Sequence, residues 1–321
     1  MKLIKEFVAD EKIEQNFLIS NVTRGITTKG SSYYNVVLQD SSGTIDAKKW
    51  EINEGDELIF QSGNIVKVSG DVLNYRGSLQ VRIGGGKLVE DKDIDPTHFV
   101  KSAPIKKSEL EKEFFDYIRA IEDEDVRAIV EEVIKDNFIS FSIYPAASKN
   151  HHDYASGLMH HTVSMLRLAK AMVELYPGLD KDYLYAGVIL HDVGKTIELS
   201  GPIVARYTTP GKLLGHISIT QAQIKQAADR LGIGGEIPVI LQHLVLSHHG
   251  KMEFGSPVPP LTKEAEILSF IDNIDSRMNA IDKALEDVKE GEFTNRIFAL
   301  EDRTFYKPLK NKGKFNENKD N

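Results

Sequence analysis

Tyr183-Leu184-Tyr185-Ala186-Gly187-Val188-Ile189-Leu190-His191-Asp192-Val193-Gly194-Lys195 runs from an apolar segment into adjacent histidine and aspartate side chains. The unbroken apolar run reads as a buried helix. Asp182 is its expected N-cap and Gly194 its C-terminal stop, so an imidazole and a carboxylate project together at a helix end. Imidazole nitrogen and carboxylate oxygen are the usual donors to borderline divalent cations.

Further donors of the same kind lie on both sides of this stretch. Upstream, His161 has Leu158, Met165, Leu168 and Met172 at helical offsets, which puts it on an apolar stripe facing a core. His160 shares its side with Ser164 and Arg167 and is the weaker candidate. Downstream, His216 opens a helix carrying Ile217, Thr220, Ile224, Ala228 and Leu231 on one side, stopped by Gly232. His248-His249 ends a helix that Pro238 is expected to start, followed by Gly250. Asp272 lies on a longer amphipathic helix beginning near Thr262, with Leu268 and Ile271 on the same inward side. A carboxylate on an apolar face needs a partner, and a metal ion supplies one. One histidine on an apolar helix face is ordinarily a packed core residue. The ordered set His161, His191-Asp192, His216, His248-His249, Asp272 is a different matter. His98, His151, His152 and His243 fall outside it and are read as structural.

The order H...HD...D resembles the signature of the HD superfamily of metal-dependent phosphohydrolases. With the intervening histidine, the His248-His249 pair, His191 to Lys195, Leu213 to Ile217 and Gly250 to Pro257, residues 100 to 305 resemble the YhaM family of 3′→5′ exoribonucleases. The resemblance implies two divalent ions, with manganese favoured over iron, cobalt or zinc. His161, His191, Asp192 and Asp272 would hold one ion, and Asp192, His216, His248 and His249 the other, Asp192 bridging. Water activated there would be the nucleophile, making Asp192 and Lys195 the catalytic pair, Lys195 contacting a phosphate oxygen. A cation at a helix C-terminus is the plainer reading of Lys195. Arg206 and Lys212, in the loop between Gly201 and Gly215, are weaker phosphate candidates.

Residues 1 to 90 have another rhythm. Apolar and β-branched runs at Phe17 to Val22, Tyr33 to Leu38, Thr44 to Trp50, Glu57 to Phe60, Ile65 to Val68 and Leu79 to Ile83 are punctuated by glycines and polar turns. About five short strands in this length point to a small closed barrel. It resembles the OB-fold, whose members often bind single-stranded nucleic acid through aromatics and a basic groove. Tyr33, Tyr34, Trp50, Phe60 and Tyr75 offer rings, and Lys48, Lys49, Arg76 and Arg82 offer phosphate contacts. Strand alternation lets only one of Tyr33 and Tyr34 face a ligand. Of the rings, Tyr33, Trp50 and Tyr75 are taken as the binding set. Eleven Lys and Arg against twelve Asp and Glu in this segment mean that a groove must come from arrangement rather than bulk charge.

The expected fold class is therefore multidomain α+β, a five-stranded OB-type barrel over 1–90 followed by an all-α HD-domain helical bundle. Residues 91–107 form a turn-rich charged linker, 108–306 the bundle, opening with a helical hairpin, and 307–321 a polar disordered tail. The 321 residues, 41% hydrophobic, suffice for two cores. Zero cysteines exclude disulfides and thiolate sites. With no signal-like N-terminal run and no stretch of 18 apolar residues, a cytoplasmic protein without a membrane partner is expected. A homo-oligomer is also expected. The net charge of −8 runs against bulk attraction to a polyanion, so metal ions and local basic patches must offset it.

The activity expected is hydrolysis of single-stranded RNA, with single-stranded DNA as a second substrate, to nucleoside 5′-monophosphates. One alternative is a cyclic-dinucleotide phosphodiesterase, since such HD proteins share the ligand order. They carry Gly-Tyr-Pro after the His-His pair, whereas this chain has Phe254-Gly-Ser-Pro257. The other alternative is a non-catalytic RNA-binding adaptor, which complete retention of the ligand set and Lys195 disfavours.

Overall fold

The computed structural model describes residues 2–28, 30–89, 98–100, 103–146, 154–201, 205–286 and 288–310. The chain divides into two compact units, one of residues 1–104 with 154–156 and 200–206, the other of the remainder.

In the first unit, β1 (Lys12–Ile26), β2 (Ser32–Asp40), β3 (Gly43–Lys49), a helical turn α1 (Asp56–Ile59), β4 (Ile65–Tyr75) and β5 (Ser78–Leu88) close a barrel in the order β1-β2-β3-β5-β4. This is the five-stranded OB-type barrel. β1 serves two neighbours in turn, pairing with β4 over Lys12 to Leu18 and with β2 from Leu18 to Ile26. A register shift between Ile19 and Asn21 bends it round the barrel. Closure comes from the parallel pairing of β3 with β5, where Lys48 lies opposite Arg82.

The period-two pattern sorts the side chains as expected. Tyr34, Val36 and Leu38 join Phe17, Ile19, Val68 and Val81 in the core, while Tyr33, Asn35 and Val37 face the other way. The apolar run at 57–60 is not a strand. Asp56 and Glu57 in its first turn favour a helix start, and Asp56 accepts the Asn53 N–H at 2.8 Å. Phe60 then plugs the barrel against Gly86, where a Cβ would lie 2.5 Å from its ring. Residues read as connector also contribute, since Phe99 and Val100 pack with Leu18, Ile65 and Ala155.

The second unit is helical: α2 (Lys107–Arg119), α3 (Glu124–Phe141), α4 (Gly157–Leu175), α5 (Lys181–Leu190), α6 (Lys195–Glu198), α7 (Thr209–Leu231), α8 (Glu236–Ser247) and α9 (Lys263–Glu286). Every residue of α5 from Leu184 to Leu190 is buried, which explains why its sequence lacks a polar stripe. At Gly187 the Leu244 and Leu268 side chains come to 3.1 and 3.2 Å from where a Cβ would stand, so α8 and α9 pack onto this point.

The N-cap of α5 is Asp180, not Asp182, and its side chain accepts the N–H groups of Asp182 and Tyr183. Asp182 instead accepts those of Glu122 and Asp123, fastening the start of α3. Helix α8 starts at Glu236, two residues before Pro238, whose missing N–H costs nothing in a first turn. The end of the bundle also runs further than expected, because the Lys307 backbone donates to Glu292 and its ammonium to the Leu285 carbonyl. Residues 311–321 lie outside the described residues. Among those described, no helix is long and apolar enough to cross a membrane.

Candidate metal centre

All seven sequence-predicted ligands converge within the helical unit. His161 comes from the first half of α4 and Asp272 from the middle of α9. His191 and Asp192 follow the last turn of α5, and His248 and His249 that of α8. His216 sits inside α7, directly after a kink at Gly215, whose φ of 72° and ψ of 155° break the helix. Glycine takes this left-handed backbone without penalty.

Asp192 lies between two groups of donors. Its Oδ2 is 3.2 Å from His191 Nε2 and 3.8 Å from His161 Nε2, while its Oδ1 is 3.4 Å from His216 Nε2 and 3.9 Å from His248 Nε2. Donor atoms of His161, His191 and Asp192 lie within 4.8 Å of one another, and so do those of His216, His248 and His249. Asp272 Oδ1 stands 3.3 Å from His161 Nε2. Buried Nε2 atoms of His191, His216 and His248, with Asp192 Oδ1, make no hydrogen bond among the described residues. Convergent buried nitrogen and oxygen donors left without a protein partner fit a bound cation.

The electrostatics agree. Burial, reinforced by neighbouring imidazoles, holds His248 well below its ordinary pKa, and burial also lowers His249, which favours the neutral rings that ligation requires. Burial would raise Asp192, but Lys195 and the His191 and His216 rings outweigh it and keep the carboxylate ionised. Asp272 is depressed likewise, His161 overcoming the effect of burial. Burial would lower His161, yet hydrogen bonds and charge from Asp272 and Asp275 raise it to about 9.

Four of the five ligand histidines, all but His249, have a described contact at Nδ1 that aims the opposite nitrogen, Nε2. Nδ1 of His191 lies 2.8 Å from the Val188 carbonyl and that of His248 2.7 Å from the Val245 carbonyl, the i−3 positions of their own helices. His161 and His216 are held by carboxylates instead, Asp275 at 2.7 Å and Glu198 at 3.1 Å. Neither carboxylate was singled out from sequence, although Asp275 follows Asp272 by one helical turn, which is the one available signal. Close packing sets the remaining geometry: a Cβ on Gly194 would stand 2.3 Å from the His216 carbonyl oxygen.

Lys195 is not a helix C-terminal cation. It is the first residue of the single-turn α6, and its ammonium donates to Asp192 Oδ2 at 2.6 Å. His243, read as structural, accepts the Leu261 N–H at 2.9 Å and is depressed by burial. His151 and His152 lie outside the described residues.

Residues 158–277 match the HD domain family. The 3′-5′ exoribonuclease YhaM of Geobacillus sp. (strain WCH70) is 50% identical over 309 residues, 96% of this chain and 95% of that protein. The chain belongs to the YhaM family. With its metal-dependent HD domain it is a hydrolase of the phosphodiesterase type. Among solved structures, the second OB-fold domain of replication protein A from Methanococcus maripaludis is similar at 20% identity, over 28% of this chain and 95% of that one, with a TM-score of 0.24. The mitochondrial single-stranded DNA binding protein Rim1 from S. cerevisiae is similar at 17% identity, over 26% and 97%, with a TM-score of 0.22.

The YhaM-family barrel brings three of its predicted surface residues together. Tyr33 and Trp50 rings stack at 4.9 Å between centroids, and the Lys48 ammonium lies 5.1 Å from each. Gly25 makes room for them, since a Cβ there would lie 2.5 Å from the Tyr33 ring. Arg82 is paired with Asp71 at 2.7 Å. Tyr75 and Arg76 form a separate exposed pair at the β4–β5 turn, 5.3 Å apart.

Two predicted phosphate contacts need correction. Lys49 is only 2% exposed, because its position on β3 points inward, and its ammonium donates to the Glu51 carbonyl beside Asp56. It is a buried structural residue of the barrel. The Arg206 guanidinium belongs to the barrel unit and donates to the Ser62 carbonyl. Tyr34 and Phe60 are core residues.

Proposed function

We propose that this chain is a metal-dependent 3′→5′ exoribonuclease that releases nucleoside 5′-monophosphates from single-stranded RNA at a binuclear centre. The observation that carries the reading is the division of Asp192, one oxygen towards His161 and His191 and the other towards His216 and His248. The 50% identity to a 3′-5′ exoribonuclease supports the substrate and polarity.

In this reading His161, His191, Asp192 and Asp272 would hold one divalent ion and Asp192, His216, His248 and His249 the other. When bound, two such ions would acidify water towards neutrality and offset charge at the scissile phosphodiester. Lys195 keeps Asp192 ionised and adds a positive charge beside the reacting phosphate. By donor type the carboxylate and imidazole set suits manganese, iron, cobalt or zinc alike, and membership of the YhaM family favours manganese. Tyr33, Trp50 and Tyr75 stack bases, and Lys48, Arg76 and Arg82 follow the phosphates, for RNA and for single-stranded DNA.

The test is product analysis with purified protein and manganese on 5′-labelled single-stranded RNA with a free or a blocked 3′ end, beside a cyclic dinucleotide. A ladder shortening from the free 3′ end, with monophosphates released, is expected. Opening of the cyclic dinucleotide with RNA intact would transfer the centre to signalling chemistry, and binding without cleavage of either substrate would make the chain an adaptor.

A further inference from the structure

We infer that Glu198 and Asp275 are positioning residues, each controlling the affinity of one of the two metal ions; this rests on the binuclear reading above. The four histidines with described Nδ1 contacts fall into two kinds. His191 and His248 are oriented by carbonyls of their own helices, contacts that any sequence would supply. His161 and His216 depend on side chains from other elements, and both of those side chains are buried carboxylates, each 8% exposed.

The Glu198 contact is built from two breaks in regular structure. Helix α6 ends at Glu198, and α7 breaks at Gly215, so the His216 N–H loses its intrahelical acceptor. Glu198 Oε1 takes that N–H at 3.0 Å and the same residue's Nδ1 at 3.1 Å. One oxygen thus caps the resumed helix and fixes both backbone and ring of His216. On α9, Asp272 and Asp275 stand one turn apart and address opposite nitrogens of His161, Nε2 at 3.3 Å and Nδ1 at 2.7 Å.

With Nε2 as the donor to metal, Nδ1 carries the proton and gives it to the carboxylate in a hydrogen bond. A carboxylate behind an imidazole fixes the tautomer, stops ring rotation and makes Nε2 a stronger donor. The centre has one such ligand in each half, His161 on the Asp272 side and His216 on the His249 side. Loss of either carboxylate weakens its own half.

The experiment is calorimetric titration of the metal-free full-length chain with Mn²⁺, with far-UV circular dichroism to verify folding. The wild type tests the underlying reading separately, since binding of a single ion would end the binuclear arrangement whatever the variants do. With two ions bound, Glu198→Gln is expected to weaken one site about ten- to hundredfold and leave the other at wild-type affinity. Asp275→Asn is expected to weaken the other site, and the double variant both. Gly215→Ala strains the same contact from the backbone and should reproduce the Glu198→Gln profile; it replaces that variant if it does not fold, as Asp275→Glu replaces Asp275→Asn. A purely structural role predicts equal weakening of both sites in each single variant. That result, or wild-type affinity at both sites, would overturn the assignment.

Discussion

Replacing Asp192 by asparagine strikes both halves of the centre and one buried ion pair together. The carboxylate offers Oδ1 to His216 and His248 and Oδ2 to His161 and His191, while Oδ2 also accepts the Lys195 ammonium at 2.6 Å. An amide cannot present two anionic faces, so each ion loses its shared negative donor. Removal of a residue that merely orients a ligand typically costs ten- to a hundredfold in metal affinity, roughly 1.4 to 2.7 kcal/mol. Loss of a bridging donor should exceed that at both sites. The metal-free protein should also lose about 3–5 kcal/mol of stability, because Lys195, whose side chain is 12% exposed, keeps a buried charge without its partner. Lys195→Met in the same chain should restore much of that stability and none of the metal binding. The assay has three arms: Mn²⁺ titration, thermal unfolding of the metal-free protein, and cleavage of 5′-labelled RNA, with strand binding by anisotropy as the control expected to survive. Two ions bound at wild-type affinity with wild-type turnover would refute the bridging arrangement.

Four further outcomes are expected. Trp50→Ala should weaken single-strand binding by about 1–3 kcal/mol through loss of one stacking surface, and because Trp50 is the chain's one tryptophan, quenching of its fluorescence on titration with a single strand reads that site directly. Lys49→Met should leave strand affinity unchanged in the same titration, since its ammonium is turned inward to Glu51 and Asp56. Gly194→Ala places a methyl 2.3 Å from the His216 carbonyl, a backbone overlap expected to cost about 1–3 kcal/mol in denaturant unfolding and to weaken metal binding by moving His216. His161 has a raised pKa, so its contribution to the metal-free protein is complete below 6.5 and disappears as pH rises through about 9; the melting temperature of the metal-free protein should fall across that window, and a flat profile would contradict the contacts of His161 with Asp272 and Asp275.

Donor identity and helix position were legible in the chain itself. Apolar offsets around His161, a glycine after His191-Asp192 and the inward side of Asp272 each follow from local periodicity, and each donor reaches the centre. Alternation in β2 likewise separated Tyr33 from Tyr34 without reference to any other strand. The same alternation, applied to β3, would have turned Lys49 inward with Ala47 and Ile45. Charge alone suggested a surface role, and its acceptor, the Glu51 carbonyl, is invisible until the chain turns.

Sequence therefore determined which residues can donate to a metal and which side of each helix or strand carries them, because periodicity is a property of neighbouring residues. It could not determine which atoms meet. The kink at Gly215, the capture of His216 by Glu198, the seating of Lys195 on Asp192 and the division of Asp192 between two sets of imidazoles depend on separate elements brought together by packing. A hydrogen bond forms or fails within about half an ångström of donor and acceptor position. Only the packed tertiary structure fixes positions that finely.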